Sequence, residues 1–324
     1  MGKTLVLFPD KSAYYFDQIS SENITIEQPF DDRTFNKNIL LKFLRRFNSS
    51  LTRFFYRNWY KELRNYDKVI VFDSNYFYDR SLLRNIRRRN HDIDGFYYSW
   101  NIVTDESRYE KERQEVDAQL FTYYCYDRGN CSKYLMKFNT IMYDYGLKLV
   151  SSSSIRYDAL FLGFLKDRGD IILRIYDKIN DAGYKPYFVI VKKGNEENHL
   201  PFEFRENYVN YYEYLSMIGM SQAILDVSQK DQDGFSMRVM EAIFFDKKLI
   251  TTNRSILDAP FYYDGNILVL DVENTQAEEI KQFFEKEFIP YSEELKKYYS
   301  FEEWINRFNG NRYDINIKQR VCCE

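Results

Sequence analysis

The stretch AILDVSQKDQDGFSMRVMEAIFFDKKLITT, residues 223–252, decides the fold of this chain. It begins with an apolar run at 223–227 and ends with a second apolar run at 248–252. Between them lie a polar loop that contains Gly234 and a segment with the apolar spacing of a helix. This order predicts a buried strand, a loop, a short helix and another buried strand, the unit from which parallel sheets are built.

The same alternation continues through both halves of the chain. It predicts strands at 4–8, 24–26, 68–72, 95–98, 120–124, 159–163, 187–191, 223–227, 248–252 and 267–270. It predicts helices at 37–64, 79–89, 131–137, 170–182, 211–220, 276–286 and 301–308, with 105–119 either helical or a loop. Strands that alternate with helices are typical of parallel sheets covered on both faces. We therefore expect an α/β protein with two doubly wound domains, in which ligands bind at the carboxyl ends of the strands.

One low-complexity stretch, VSSSSIRYD at 150–158, separates the two halves. We expect a first domain at 1–150, a second at 151–310 and a tail at 311–324. No internal sequence repeat relates the halves.

Composition narrows the classes of function. Of the 324 residues, 44% are apolar, which supports a sizeable core and argues against global disorder. No apolar run approaches the ~18 residues that a membrane span requires. The net charge of −3 argues against a nucleic-acid partner. The four cysteines have no CxxC spacing and no histidine cluster, so we expect neither a metal site nor disulfides, and infer a reducing cytoplasm.

The start of the predicted helix after Gly234 has two interpretations. Ser236 caps the helix, or its hydroxyl and the free backbone N–H groups hold a phosphate. Arg238 and Glu241 lie three residues apart and therefore on one face. They form either an exposed ion pair or a site in which Arg238 binds a diphosphate and Glu241 accepts hydrogen bonds from ribose hydroxyls.

The segment at 224–253 resembles the donor-binding segment of GT-B glycosyltransferases, in particular bacterial enzymes of lipopolysaccharide and capsule synthesis. The shared features are a strand that ends in Asp, a Gln/Gly loop, Gly-x-Ser-Met-Arg, a Glu, and Lys-Leu-Ile-Thr-Thr-Asn. YDALFLGFLKDRGD at 157–170, YYSFEEWINRF at 298–308 and the region 121–144 are also similar to that group. The resemblance implies two Rossmann-like domains that face a cleft, with a C-terminal helix that returns toward the first domain.

The resemblance also implies a function and a set of site residues. The first domain would take the acceptor and the second the nucleotide-sugar, with no metal and no further cofactor. The sugar would go to lipopolysaccharide, capsule or a related surface glycan, free or lipid-linked. The implied donor-binding residues are Gly163, Lys166, Arg168, Gly234, Ser236, Met237, Arg238 and Glu241. Among them Lys166 and Arg168 would neutralise the leaving nucleotide diphosphate, and Glu241 would bind the ribose.

The catalytic base is marked less clearly. Asp73 and Asp10 each follow a predicted strand of the first half, where a carboxylate would face the cleft. Two alternatives stay open. Asp231 and Asp233 could hold a divalent metal on the donor. The chain could also be a degenerate module that binds a glycan or a partner, because the glycine-rich turn expected after the first strand is replaced by Phe8-Pro-Asp-Lys11.

The segment 37–64 is strongly basic, with eight lysines and arginines against one acid, Glu62. We predict one long helix with an apolar stripe and a cationic face that carries Arg45, Arg46, Arg53, Arg57 and Lys61, which Arg84 and Arg87–Arg89 extend. The face is either solvated or a surface that meets anionic lipid. The second interpretation predicts a cytoplasmic protein attached peripherally to the inner face of the cytoplasmic membrane.

Overall fold

The computed structural model describes residues 2–9, 16, 19, 21–30, 38–73, 80–149, 154–192 and 200–309. The chain divides into two compact units, Met1–Thr140 and Ile141–Glu324. Asp10 and the predicted tail at 311–324 lie outside the described residues. Among the described residues, no helix combines the length and the apolar character that crossing a membrane requires.

The first unit is built on a parallel sheet of six strands in the order β2-β1-β3-β4-β5-β6. Its strands are β1 Thr4–Leu7, β2 Ile24–Glu27, β3 Lys68–Phe72, β4 Asp94–Ser99, β5 Thr122–Cys125 and β6 Lys137–Phe138. Its described helices are α1 Ile39–Arg46, α2 Trp59–Glu62, α3 Arg80–Arg89, α4 Glu106–Ala118 and α5 Arg128–Tyr134, with 3-10 turns at Ser50–Phe55 and Leu63–Asn65.

The second unit contains another parallel sheet of six strands, in the order β12-β11-β10-β7-β8-β9. Its strands are β7 Tyr157–Gly163, β8 Pro186–Val191, β9 Glu203–Arg205, β10 Ser221–Asp226, β11 Lys248–Thr251 and β12 Ile267–Val269. Its described helices are α6 Gly169–Asp181, α7 Tyr211–Gly219, α8 Met237–Phe244, α9 Ala277–Glu285, α10 Glu293–Tyr298 and α11 Phe301–Asn306, with 3-10 turns at Arg254–Asp258 and Arg307–Asn309. This strand order is the Rossmann order, so the predicted α/β class is confirmed.

Both sheets bury apolar side chains on their two faces. Strands β1 and β11, each second from an edge of its sheet, are buried at every position, which explains the consecutive apolar residues Leu5–Leu7 and Leu249–Ile250. In the second unit Ile172, Ile175 and Ile179 of α6 pack into the cluster that contains Phe161 and Phe188. The three isoleucines recur at three- and four-residue steps, the period that places them on one helix face.

The prediction of one helix over 37–64 is wrong. The segment forms α1, a 3-10 turn, α2 and a second 3-10 turn. The first break comes at Asn48, whose φ of 53° is left-handed and ends α1. Ser49 then accepts a hydrogen bond from the Leu51 N–H and starts the 3-10 turn. The apolar spacing continues across this break, so periodicity alone does not reveal it.

The remaining predicted elements are present, with ends shifted by a few residues at most. The segment 105–119, left open by its sequence, is the helix α4. Among the described elements, the short strands β6 and β9, the short helix α10 and the 3-10 turn Arg254–Asp258 were not predicted. Strands of two and three residues show no alternation, and a helix of six residues shows hardly two turns of periodicity. The return of the C-terminal helix toward the first unit stays a prediction.

Candidate active site

The candidate site of the second unit lies where the strand order reverses. From β7 the chain continues to β8 on one side of the sheet, whereas from β10 it continues to β11 on the other side. The loops that follow β7 and β10 therefore diverge and leave a crevice at the carboxyl edge of the sheet, the position at which doubly wound sheets bind ligands. The first loop carries Lys166 and Arg168, and the second leads into α8.

Arg238, in the first turn of α8, is held against the end of β7. Its Nη2 donates to the Leu162 carbonyl at 2.6 Å, and its guanidinium lies 5.0 Å from the centre of the Phe161 ring. A Cβ at position 163 would lie 2.7 Å from Nη2, so Gly163 leaves the space that the guanidinium occupies. The Arg238 Nε is buried and has no hydrogen-bond partner among the described residues.

Arg168 precedes α6 and is itself buried, with 8% of its surface exposed. Its guanidinium donates to the carbonyl of Val227, just after β10, and to the Phe164 carbonyl at 3.2 Å. Its Nε is a second buried nitrogen without a partner in the described part of the chain. Burial lowers the pKa of Arg168, and the positive charge of Arg238 lowers it further. The crevice therefore holds two guanidinium groups close together, which favours an anionic ligand.

Asp226 is the last residue of β10 and contacts both Arg238 and the N-cap residue of α8. One carboxylate oxygen accepts a hydrogen bond from the Ser236 hydroxyl at 2.7 Å, and the other accepts one from the Thr251 hydroxyl at 3.0 Å. The first oxygen lies 3.9 Å from Nη1 of Arg238. Asp226 thus ties the start of α8 to two neighbouring strands and offsets part of the positive charge.

The loop between β10 and α8 is fixed by hydrogen bonds. Ser236 is the N-cap of α8 and accepts from the Arg238 N–H at 3.1 Å. The Asp233 carbonyl accepts from the Ser255 hydroxyl at 2.6 Å, and the Gly234 carbonyl accepts from the Asn253 amide at 3.3 Å. The loop is therefore held in one shape, with the start of α8 at the crevice.

Lys166 joins the two loops that border the crevice. Its Nζ donates to the Gln229 side-chain carbonyl at 3.3 Å, and its backbone is left-handed with φ 51°. Met237, the first residue of α8, is half-buried. The structure thus brings together the predicted residues Gly163, Lys166, Arg168, Gly234, Ser236, Met237 and Arg238.

Glu241, the predicted ribose ligand, lies one turn deeper in α8 and is 2% exposed. One oxygen accepts from the Tyr211 hydroxyl at 3.2 Å and the other from the Tyr214 hydroxyl at 2.8 Å. The Tyr143 hydroxyl contacts that of Tyr211 and extends the network. Burial raises the pKa of Glu241 to about 7, although both tyrosines favour the carboxylate. The ribose contact stays a prediction.

The metal alternative rests on Asp231 and Asp233, which are both exposed. Asp231 has a left-handed backbone with φ 61°, as expected in a tight turn. Within the described residues, no group of three or more His, Cys, Asp or Glu side chains could hold a metal ion.

The first unit places Asp73 directly after β3, beside a cavity of about 100 Å³. Its carboxylate accepts from the Trp100 N–H at 2.5 Å and from the Ser99 hydroxyl at 3.2 Å. Burial raises the pKa of Asp73 to about 7, with a further increase from the charge of Glu112. The second predicted base, Asp10, lies outside the described residues.

Glu112 is a site residue that the sequence did not reveal. It lies on α4, lines the same cavity together with Arg108, and accepts a hydrogen bond from the Tyr97 hydroxyl. Burial raises the pKa of its carboxyl. In the sequence it is one of several acids of the helix, and only its spacing from Tyr109 and Val116, at three and four residues, marks the buried face.

Comparisons with known proteins concern the fold. No protein-family model matches the chain, and no curated protein matches it either. The solved structure of T4 phage BGT in complex with its UDP-glucose substrate is similar at 10% identity and a TM-score of 0.47, over 95% of this chain and 98% of that chain. The glycotransferase of kitacinnamycin is similar at 11% identity and a TM-score of 0.42, over 87% and 89%.

An NAD-dependent formate dehydrogenase from Staphylococcus aureus in complex with NAD is similar at 10% identity and a TM-score of 0.21, over 94% and 95%. At these identities and TM-scores the comparisons carry no argument about function, which has to come from the geometry of the site.

Proposed function

We propose that this chain is a GT-B glycosyltransferase that moves a sugar from a nucleotide-sugar donor to lipopolysaccharide, capsule or a related surface glycan, without a required metal. The observation that carries the proposal is the pair Arg168 and Arg238. Their guanidinium groups lie at the carboxyl edge of β7 and β10, where the charge of Arg238 lowers the pKa of Arg168. Each has a buried Nε that lacks a partner among the described residues.

Such a site suits glycosyl transfer because negative charge develops on the departing nucleotide diphosphate. Fixed cations stabilise that charge without reorganisation during the reaction. The first turn of α8 adds the positive end of the helix dipole. Two like charges held close together repel each other, and an anionic ligand relieves this repulsion.

Asp73 is the base of the proposed reaction. It would accept the proton of an acceptor hydroxyl while that oxygen bonds to the anomeric carbon and the bond from that carbon to the diphosphate breaks. A pKa of about 7 leaves a large fraction of carboxylate at neutral pH and still provides a useful proton affinity. We place the reaction in the cytoplasm, whose reducing conditions would keep the thiols of Cys125 and Cys131 reduced.

The decisive experiment is calorimetric titration with UDP, GDP, CDP, ADP and TDP, first in EDTA and then in magnesium. We expect one diphosphate to bind equally well under both conditions. Arg238→Ala should weaken binding at least about tenfold, because a hydrogen bond to a charged group contributes about 1.5–3 kcal/mol. Arg174→Ala is the matched control, since Arg174 lies on α6 and pairs with Glu273 at the surface.

Two outcomes would replace the proposal. Binding that requires magnesium and disappears in Asp231→Asn or Asp233→Asn would favour the metal-dependent transferase. Failure of every diphosphate to bind the folded protein would favour a module that binds glycans or partners without turnover.

A further inference from the structure

Residues 39–54 of the first unit expose an unusual number of large apolar side chains. The exposed fraction is 83% for Ile39, 72% for Phe54 and 64% for Phe47. Leu40, Phe43 and Leu51 are also exposed, each by about half of its surface. Contiguous apolar surface of this kind on a folded protein marks an interaction site. We call the exposed side chains of residues 39–54 the 39–54 face.

The same residues carry only positive charge. Lys42 and Arg46 are exposed on α1, Arg45 and Arg53 are half-buried, and residues 38–57 include no Asp or Glu. Arg53 lies 5.1 Å from the centre of the Phe54 ring, so cationic and apolar groups are mixed on one surface. This arrangement contrasts with the net charge of −3 of the whole chain.

Buried contacts with the rest of the first unit hold the 39–54 face in place. Buried Asn85 of α3 donates to the Ser50 carbonyl at 3.2 Å, to the Thr52 hydroxyl at 3.3 Å and to the Tyr56 hydroxyl at 3.1 Å. Leu41 and Thr52 are fully buried beneath the exposed residues. The inward side chains thus fix the two helical segments, and the outward ones are presented together.

The structure also limits the extent of the predicted cationic face. Arg57 forms an ion pair with Glu27 at 3.2 Å, and Arg84 forms one with Glu115 at 2.7 Å. Arg87 donates to the Gln119 carbonyl at 3.0 Å and to the Leu120 carbonyl at 2.9 Å. These arginines stabilise the unit itself, whereas the exposed Lys42 and Arg46 belong to the 39–54 face and the half-buried Arg45 and Arg53 lie beside it.

We propose that the 39–54 face docks onto an anionic phospholipid surface, with Ile39, Leu40, Phe43, Phe47, Leu51 and Phe54 inserted among the lipid headgroups. A bilayer interface accepts apolar and cationic side chains together. A second copy would oppose like charges, and a nucleic acid would leave the aliphatic side chains without partners. The proposal is independent of the sugar-transfer activity.

The test is sedimentation of the full-length protein with vesicles of phosphatidylcholine alone or of phosphatidylcholine mixed with phosphatidylglycerol. We expect binding to the mixed vesicles that is at least about tenfold stronger and weakens as salt rises. The triple variant Phe43→Gln, Phe47→Gln, Phe54→Gln should lose binding to both. The variant Lys42→Gln, Arg46→Gln should lose the preference for anionic vesicles and its salt dependence.

Matched controls separate the face from general properties of the chain. Leu257→Gln removes an exposed apolar side chain of the second unit, and Lys111→Gln removes an exposed charge of α4. Both should bind vesicles as the wild type does, and all variants should keep the wild-type circular dichroism spectrum. Sedimentation of the wild type that is equal with both vesicle types, or absent, would overturn the proposal. Equal vesicle binding by the wild type and the triple variant would also overturn the proposal. If the triple variant instead loses oligomerisation or duplex-DNA binding while its vesicle binding is unchanged, the face serves that other partner and the proposal is wrong.

Discussion

Single residues decide whether the guanidinium groups of the candidate site are in position. Gly163 is the clearest case, because its missing side chain leaves the space for Nη2 of Arg238. The neighbouring Leu162 carbonyl fixes the direction in which the guanidinium points. The position of the Arg238 guanidinium therefore depends on the glycine at position 163 as well as on the carbonyl that it contacts.

The first prediction concerns Gly163→Ala. Its Cβ would lie 2.7 Å from Nη2, which forces the flexible end of Arg238 to move. We expect diphosphate binding to weaken at least about tenfold, through loss of contacts to a charged group, while the melting temperature changes little. Gly169→Ala is the control, because a Cβ there meets no atom within 4 Å. If both variants bind as the wild type does, Arg238 is not a ligand of the diphosphate.

The second prediction concerns Asp73→Asn. In the wild type, sugar transfer or slow donor hydrolysis should rise with pH through about 7, as Asp73 loses its proton. The variant should lose this rise and about 10²–10⁴-fold in turnover, the range for a general base. Glu241→Gln tests the other carboxyl with a pKa of about 7 and should retain the rise. A rise that persists in Asp73→Asn would assign it to another group.

At the scale of elements, α8 connects stability to binding. Its N-cap Ser236 accepts from the Arg238 N–H, and its hydroxyl donates to Asp226. The helix packs Val239, Met240 and Ile243 into the core, so the position of its first turn is set by apolar packing as well as by the cap. A change at the N-cap residue Ser236 should therefore alter both the stability of α8 and the position of Arg238 in the crevice.

The third prediction concerns Ser236→Ala. We expect a loss of about 0.5–2 kcal/mol in the free energy of unfolding, as for other N-cap serines, together with weaker diphosphate binding. Ser292→Ala removes the N-cap hydroxyl of α10, which accepts from the Leu295 N–H. That control should lose similar stability and keep full binding. Equal binding losses in both variants would mean that stability alone governs the affinity.

The elements also show what local pattern can predict. Capped helices are predicted well: α7 starts at the predicted residue Tyr211, and α8 starts at Met237, one or two residues after the predicted start at Phe235 or Ser236. A cap and the apolar period depend on residues only a few positions apart. The 37–64 segment was mispredicted because Asn48 adopts a left-handed backbone while the apolar spacing continues. The 3-10 turn after this break is held by a hydrogen bond from Asn85 to Thr52, which the sequence does not identify as partners.

At the scale of the whole molecule, two carboxyls with raised pKa values oppose stability above neutral pH. Asp73 and Glu241 both have a pKa of about 7 in the folded protein, above the ordinary values of about 3.9 and 4.3. Between pH 4 and 7 the folded state therefore holds more protons than the unfolded state at these positions. Their contribution to the free energy of unfolding falls as pH rises through this window, by up to about 1.4 kcal/mol per pH unit and group.

The fourth prediction follows from this sign. Asp73→Asn and Glu241→Gln should each gain stability relative to the wild type when pH is raised from about 5 to about 8. Urea unfolding at both pH values measures this difference, and other titrating groups cancel in it. Glu110→Gln replaces an exposed carboxylate of α4 and should give no such gain. A difference that is independent of pH would show that these carboxyls ionise normally in the folded protein.

The sequence by itself determined the α/β class, most strands and helices, and the presence of Ser236 and Arg238 at the start of a helix after a strand. These features are local, since neighbouring residues supply the apolar period and the cap. Tertiary structure decided which distant residues meet. It placed Arg238 on the carbonyl of Leu162, 76 positions away, Arg168 on that of Val227, and Glu112 beside Asp73. Such contacts depend on the order of strands in each sheet, and pairing between remote segments sets that order.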